Sequence, residues 1–153
     1  MGTDQRLAHW DDMVKYYETV AERSGRMIIE ELGKTTLGEP YLLLVISAPE
    51  TIRELPRFKS MQQQLANPRQ TSTEAAEMIA QTGKAVVLVG ANVHSTEIGT
   101  SQMMNDLVYQ LAAEQSAAVD HILDNTIVLL IPSQNPDGQR MVVDWYRRNL
   151  GTP

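Results

Sequence analysis

Four residues, His94-Ser95-Thr96-Glu97, place an imidazole three positions ahead of a carboxylate. Those two groups together suit a borderline cation such as zinc. The small residues Gly90 and Ala91 just upstream would let the chain fold close to an ion. A second stretch, Asn135-Pro136-Asp137-Gly138, has the composition of a tight loop. Taken singly, neither carries much weight. In a chain with three histidines, a glutamate three places on arises readily by chance, and Asn-Pro-Asp-Gly makes an ordinary type I turn. Their positions relative to the surrounding elements raise both above that background.

Each loop follows a short apolar run rich in β-branched residues: Ala85-Val86-Val87-Leu88-Val89-Gly90 before the first, Thr126-Ile127-Val128-Leu129-Leu130-Ile131 before the second. Runs that are apolar throughout suit strands of a parallel sheet buried on both faces. Between them Ile98, Met103, Met104, Leu107, Val108, Leu111 and Ala112 recur at three- and four-residue steps, the spacing of a helix with one apolar stripe. Strand, helix, strand without a hairpin turn reads as a right-handed βαβ unit. Both loops then leave the sheet at its carboxyl edge, where open α/β folds bind ligands.

The rest of the chain supplies the covering elements. The spacing of Leu7, Trp10, Val14, Tyr17 and Ala21 predicts a helix over 5–23, ended by Gly25. Strands are expected over 27–32 and 41–47, paired antiparallel through the glycine-containing loop Gly33 to Pro40. Helices are expected over 49–53 and 57–65. Thr71-Ser72-Thr73-Glu74 has the form of a capping box, opening a helix through 81 that Gly83 stops. One further turn is predicted over 120–123 and a helix over 139–150. The fold class implied is α/β, with a mixed, mainly parallel central sheet flanked by helices on both faces and a single domain over 1–153.

Composition removes several classes of function. A net charge of -6 over 153 residues argues against nucleic acid, with Arg140, Arg147 and Arg148 only a local exception. The absence of cysteine excludes a disulfide framework, a thiolate metal site and a cysteine nucleophile. No apolar run approaches a membrane span, and no signal-peptide core opens the chain. The eight methionines fall mostly at helix-core spacing, so they are expected to fill gaps in the core rather than to bind metal.

At this point the residues resemble a known family, the zinc carboxypeptidases of the carboxypeptidase A type. The hairpin Glu31-Leu32-Gly33-Lys34-Thr35 to Gly38-Glu39-Pro40-Tyr41 is similar to the family's "IGkS…GRp" hairpin, with Glu39 in place of the usual arginine. His94, Glu97, the helix, the strand and Asn135-Pro136-Asp137-Gly138 then follow in the family's order and close to its spacing. Tyr146-Arg147-Arg148 resembles the segment carrying the arginine that polarises the scissile carbonyl, with Arg147 the candidate and Arg148 its rival. The resemblance implies a hydrolase in which His94 and Glu97 are two of three protein ligands to a catalytic Zn2+. It also implies substrate-binding roles for Arg147, Arg148 and Asn135, and release of a C-terminal amino acid from a peptide or protein. Relatives are often exported, although nothing in these residues fixes a compartment.

The departures carry equal weight. The family's second zinc histidine, its carboxylate-gripping Asn-Arg pair, its tyrosine and its general-base glutamate all lie beyond the Asn-Pro-Asp-Gly loop, and this sequence reaches Pro153 before any of them. His121 precedes the second strand, at the wrong edge of the sheet for a ligand, and His9 is expected on the first helix. Ser95-Thr96 replaces the basic residue often found between the ligands. The chain is therefore expected to be the N-terminal half of a catalytic domain with little or no peptidase activity alone. An unpaired sheet edge is expected to promote self-association. Two other readings are a zinc deacylase of the aspartoacylase type and a non-catalytic binding module on the same scaffold.

Overall fold

A computed structural model describes residues 3–151 of the chain. Its elements run α1 (Trp10–Arg23), β1 (Met27–Lys34), β2 (Pro40–Ile46), α2 (Pro49–Arg53), α3 (Leu55–Ala66), α4 (Thr73–Thr82), β3 (Ala85–Gly90), α5 (Ile98–Ala112), α6 (Ala117–Asn125), β4 (Thr126–Ile131) and α7 (Pro136–Asn149). The four strands form one sheet in the order β1-β2-β4-β3. β3 and β4 are parallel, while β1 with β2 and β2 with β4 are antiparallel. The sheet is mixed, as its sequence implies, but parallel pairing is its minor part. Only β3 and β4 are both consecutive in the chain and joined as neighbours through a crossover, the connection that parallel pairing needs.

Alternation along the strands sorts side chains to two faces. On one, Met27, Leu42, Leu44, Ile46, Val128 and Leu130 pack against Trp10, Met13 and Tyr17 of α1 and Met104, Val108 and Leu111 of α5. On the other, Val45 and Ile127 meet Leu55 and Phe58 of α3. Helices thus cover both faces, the second more thinly. An apolar cavity of about 280 Å³ lies between α3 and the sheet, lined by Val45, Phe58, Val86, Ile127 and Leu129 among others.

The β1–β2 hairpin follows its glycines. Gly33 has φ 139° where the register slips between Glu31 and Gly33, a bulge that a side chain would resist. The loop closes through Gly38 N–H donating to Thr35 O at 3.0 Å and Thr35 N–H to Glu39 O at 2.9 Å.

Several expectations shift. The first helix begins at Trp10 rather than Gln5, whose φ of 59° is left-handed. Ser72, not Thr71, caps α4 by accepting from Ala75 N–H at 3.2 Å, while Thr71 Oγ donates back to Gln64 O. The turn expected over 120–123 is the full helix α6. Met13, Met27 and Met104 fill the core, but Met78, Met103 and Met141 are exposed. The largest correction concerns β3. Its sequence suggests burial on both faces, yet it is the sheet's edge, with Val86, Val87 and Leu88 exposed and only Val89 packed on the core.

Candidate metal site at the carboxyl edge of the sheet

Parallel register from Ala85 opposite Thr126 to Gly90 opposite Ile131 delivers the two loops side by side. Backbone bonds extend that register beyond the strands, with Ala91 N–H donating to Ile131 O at 3.0 Å and Gln134 N–H to Ala91 O at 2.8 Å. The loops touch. A methyl group added at Gly138 would lie 2.6 Å from Ser95 Cβ, and one at Gly90 would lie 2.1 Å from Gln134 Nε2.

His94 and Glu97 face each other across their turn. Imidazole Nδ1 lies 2.9 Å from Glu97 Oε1, and the backbone N–H of His94 donates to Oε2 at 3.1 Å. The His94 ring, and after it that backbone N–H, hold the Glu97 carboxyl below its usual range. Glu97 N–H donates to His94 O at 2.9 Å and closes the turn. Both side chains are open to solvent, His94 with 77% of its surface exposed.

The donor set passes a test of chemistry and distance. An ion bonded to one imidazole nitrogen and one carboxylate oxygen at zinc-like lengths holds those atoms roughly 3 Å apart. The separation here is already 2.9 Å. A cation entering between them would take the place of the contact that now joins ring and carboxylate. Among the described residues, no group of three or more His, Cys, Asp or Glu side chains could hold a metal, so the pair is a partial ligand set.

The second loop is not a free turn. Asn135 caps α7, its Oδ1 accepting from Gly138 N–H at 2.9 Å, with Pro136 in the first turn. Asparagine at the cap followed by proline is a sequence signal for a helix start, which is why α7 begins three residues before the expected 139. Asn135 Nδ2 reaches only 3.5 Å from Val93 O. Asp137 accepts from Thr35 Oγ and from Leu37 N–H at 3.2 Å, tying the β1–β2 hairpin to α7. Between hairpin and loop lies a polar hollow of about 270 Å³, lined by Lys34, Thr35, Tyr41, Gln134, Asn135 and Asp137.

Three residues that motif reading passed over join the loops from beneath. Asn92, Ser133 and Gln139 are buried, and Asn92 Nδ2 donates to Ser133 Oγ at 2.8 Å and to Gln139 Oε1 at 3.2 Å. Asn135 N–H in turn donates to Ser133 Oγ at 3.3 Å. Asn92 and Ser133 carry a modest signal in the sequence, a polar residue two places after each apolar run, where a chain leaving the sheet has buried groups to satisfy; Gln139, inside α7, carries none.

Similarity to known proteins fixes the family and the fold. The model of the zinc carboxypeptidase family matches residues 13–151. The chain belongs to the zinc carboxypeptidase family. No curated protein matches it by sequence. Among solved structures, it resembles a metallo-carboxypeptidase from Burkholderia cenocepacia (20% identity, TM-score 0.57, 84% of this chain and 27% of that one). It also resembles carboxypeptidase A from Helicoverpa armigera (17% identity, TM-score 0.60, 97% and 28%). A third likeness is to a putative carboxypeptidase A from Shewanella denitrificans OS-217 (16% identity, TM-score 0.61, 94% and 32%). The chain spans less than a third of the length of each.

Within the zinc carboxypeptidase frame, the substitution at Glu39 finds a partner. Where the resemblance expects arginine, Glu39 pairs with Arg140 of α7, which also binds Asp11. That arrangement raises Arg140, through Glu39 first, and lowers Asp11, through Arg140 first. His9 precedes α1 rather than lying in it, and packs between Asp11 and Asp144 with 13% of its side chain exposed. His121 lies on α6, which leads into the amino end of β4, opposite the end that carries the loops. Arg147 and Arg148 are not brought to the His94 turn. Arg147 donates to Leu7 O at 3.2 Å and lies 3.7 Å from Asp12, and by helical rise it stands about 16 Å along α7 from Pro136. Arg148 is exposed in the same last turn.

Proposed function

We propose that this chain is the N-terminal part of a zinc-dependent carboxypeptidase catalytic domain, acting on the C-terminus of a peptide or protein. His94 and Glu97 are its two resident zinc ligands in this proposal. The observation that carries it is the 2.9 Å approach of His94 Nδ1 to Glu97 Oε1 on the rim that also presents Asn135. The family match and the fold of longer carboxypeptidases support it.

Zinc, when bound, supplies Lewis acidity and an acidified water. The chain's own residues do the rest. Glu97 would offset the cation's charge with its carboxylate, His94 would present Nδ1 to it, and Asn135 would stand beside them as a polar contact for substrate. Arg147 or Arg148 is proposed, on the resemblance alone, as the arginine for the scissile carbonyl; reaching the pair requires the end of α7 to move. A third ligand and a general base belong, in this proposal, to sequence beyond these 153 residues. The isolated chain should have little peptidase activity and should self-associate through the open edge of β3.

Zinc titration of the chain beside His94→Ala tests the site: weak uptake by the parent and none by the variant is expected, and equal uptake by both removes the proposal. A longer form carrying this domain should release amino acids from peptides with a free C-terminus and not from amidated ones. Turnover of N-acyl amino acids instead would favour deacylation.

A further inference from the structure

The most unusual residue at this edge is Asn92. It has φ 53°, a left-handed conformation that among non-glycine described residues only Gln5 shares. It is also 1% exposed. Its Nδ2 is fully used, by Ser133 and Gln139, whereas its buried Oδ1 has no partner. A left-handed backbone and an unpartnered buried carbonyl are both unfavourable, and such features persist where the surrounding structure imposes them. Here the surroundings do impose them. Asn92 N–H donates to Thr100 Oγ at 3.0 Å, and that hydroxyl donates to Glu97 O at 2.7 Å, so the residue grips α5 as well as α7.

We propose that Asn92 is a positioning residue for the His94–Glu97 pair. Its left-handed turn swings the chain out of β3 so that His94 meets Glu97. Its buried amide locks that turn to Ser133, and so to the loop carrying Asn135. The inference rests on the metal reading above and extends it: the angle at which imidazole and carboxylate converge is set from beneath by a side chain that touches neither. Glycine at position 92 would keep the backbone freedom and lose the lock. The loop could then form, but with its two donors in variable separation.

The test compares the parent chain with Asn92→Gly, Ser133→Ala and His94→Ala, using Zn2+ affinity by calorimetry, Co2+ absorption in the visible and thermal melting. Asn92→Gly should bind Zn2+ about tenfold more weakly, as loss of an outer support of a metal ligand commonly does. Its Co2+ bands should shift while the protein remains folded. Ser133→Ala should move in the same direction by less. A purely structural role would lower the melting temperature and leave the Co2+ spectrum of the folded protein where it was. Binding by Asn92→Gly within about twofold of the parent, while His94→Ala abolishes it, overturns the positioning role and leaves the site standing. Equal binding by the parent and His94→Ala brings down both. Should Asn92→Gly fail to fold, Ser133→Ala decides, and an unaltered affinity and spectrum there reject the proposal.

Discussion

The units β3–loop–α5 and β4–loop–α7 have the same grammar: six apolar residues, a short polar loop, then a long helix. Their surroundings differ sharply. β4 lies between two strands and buries Ile127, Val128 and Leu130, whereas β3 is an edge with Leu88 63% exposed. The loops differ in the same sense. Asn135 is committed to capping α7 and Asp137 to holding the hairpin, while Glu97 makes no side-chain cap to α5 and spends its carboxylate on His94. One unit is built into the framework, and the other is left open where a ligand could enter.

The largest effect that could break this contrast is in the strands. Leu130→Ala, at a fully buried site, should cost about 2–5 kcal/mol in denaturant unfolding, and a loss under 1 kcal/mol would mean that β4 is not the core strand. Next come the helix starts. Asn135→Ala should lose about 1 kcal/mol with the cap, whereas Glu97→Ala should change unfolding stability by no more than about 0.5 kcal/mol while eliminating zinc uptake.

A pH series sharpens the contrast further. Asp11 is held low by Arg140, so the stabilisation from that pair is present above the carboxyl's unfolded value and fades as pH falls through its lower folded value. Arg140→Met should therefore lower the melting temperature at neutral pH and converge with the parent in acid; parallel curves would show that the cluster is not coupled to folding. An equally small effect on stability belongs to the edge. Leu88→Lys should alter unfolding by no more than about 0.5 kcal/mol but suppress self-association in sedimentation, since a charge on an open strand opposes pairing. A monomeric parent chain at high concentration would remove the self-association proposal.

Much of this was legible along the chain. Periodicity located the strands 85–90 and 126–131 and the helix between them, because an apolar run or stripe is a local property of the sequence. The family resemblance also singled out His94 and Glu97, whose mutual approach requires only a three-residue turn. Burial of β3 was misread, since a six-residue apolar run has the same composition at the centre of a sheet or at its edge. Asn92, Ser133 and Gln139 were passed over because their bonds join positions more than 40 residues apart.

The sequence by itself determined which residues could be strand, helix, ligand and cap, because alternation, capping and side-chain chemistry act over a few residues. Tertiary structure alone decided strand order, which face is covered, that Glu39 meets Arg140, and that Arg147 lies on Leu7 and Asp12 rather than at the His94 turn. Those outcomes depend on which distant surfaces pack together, and no short stretch of chain encodes that choice.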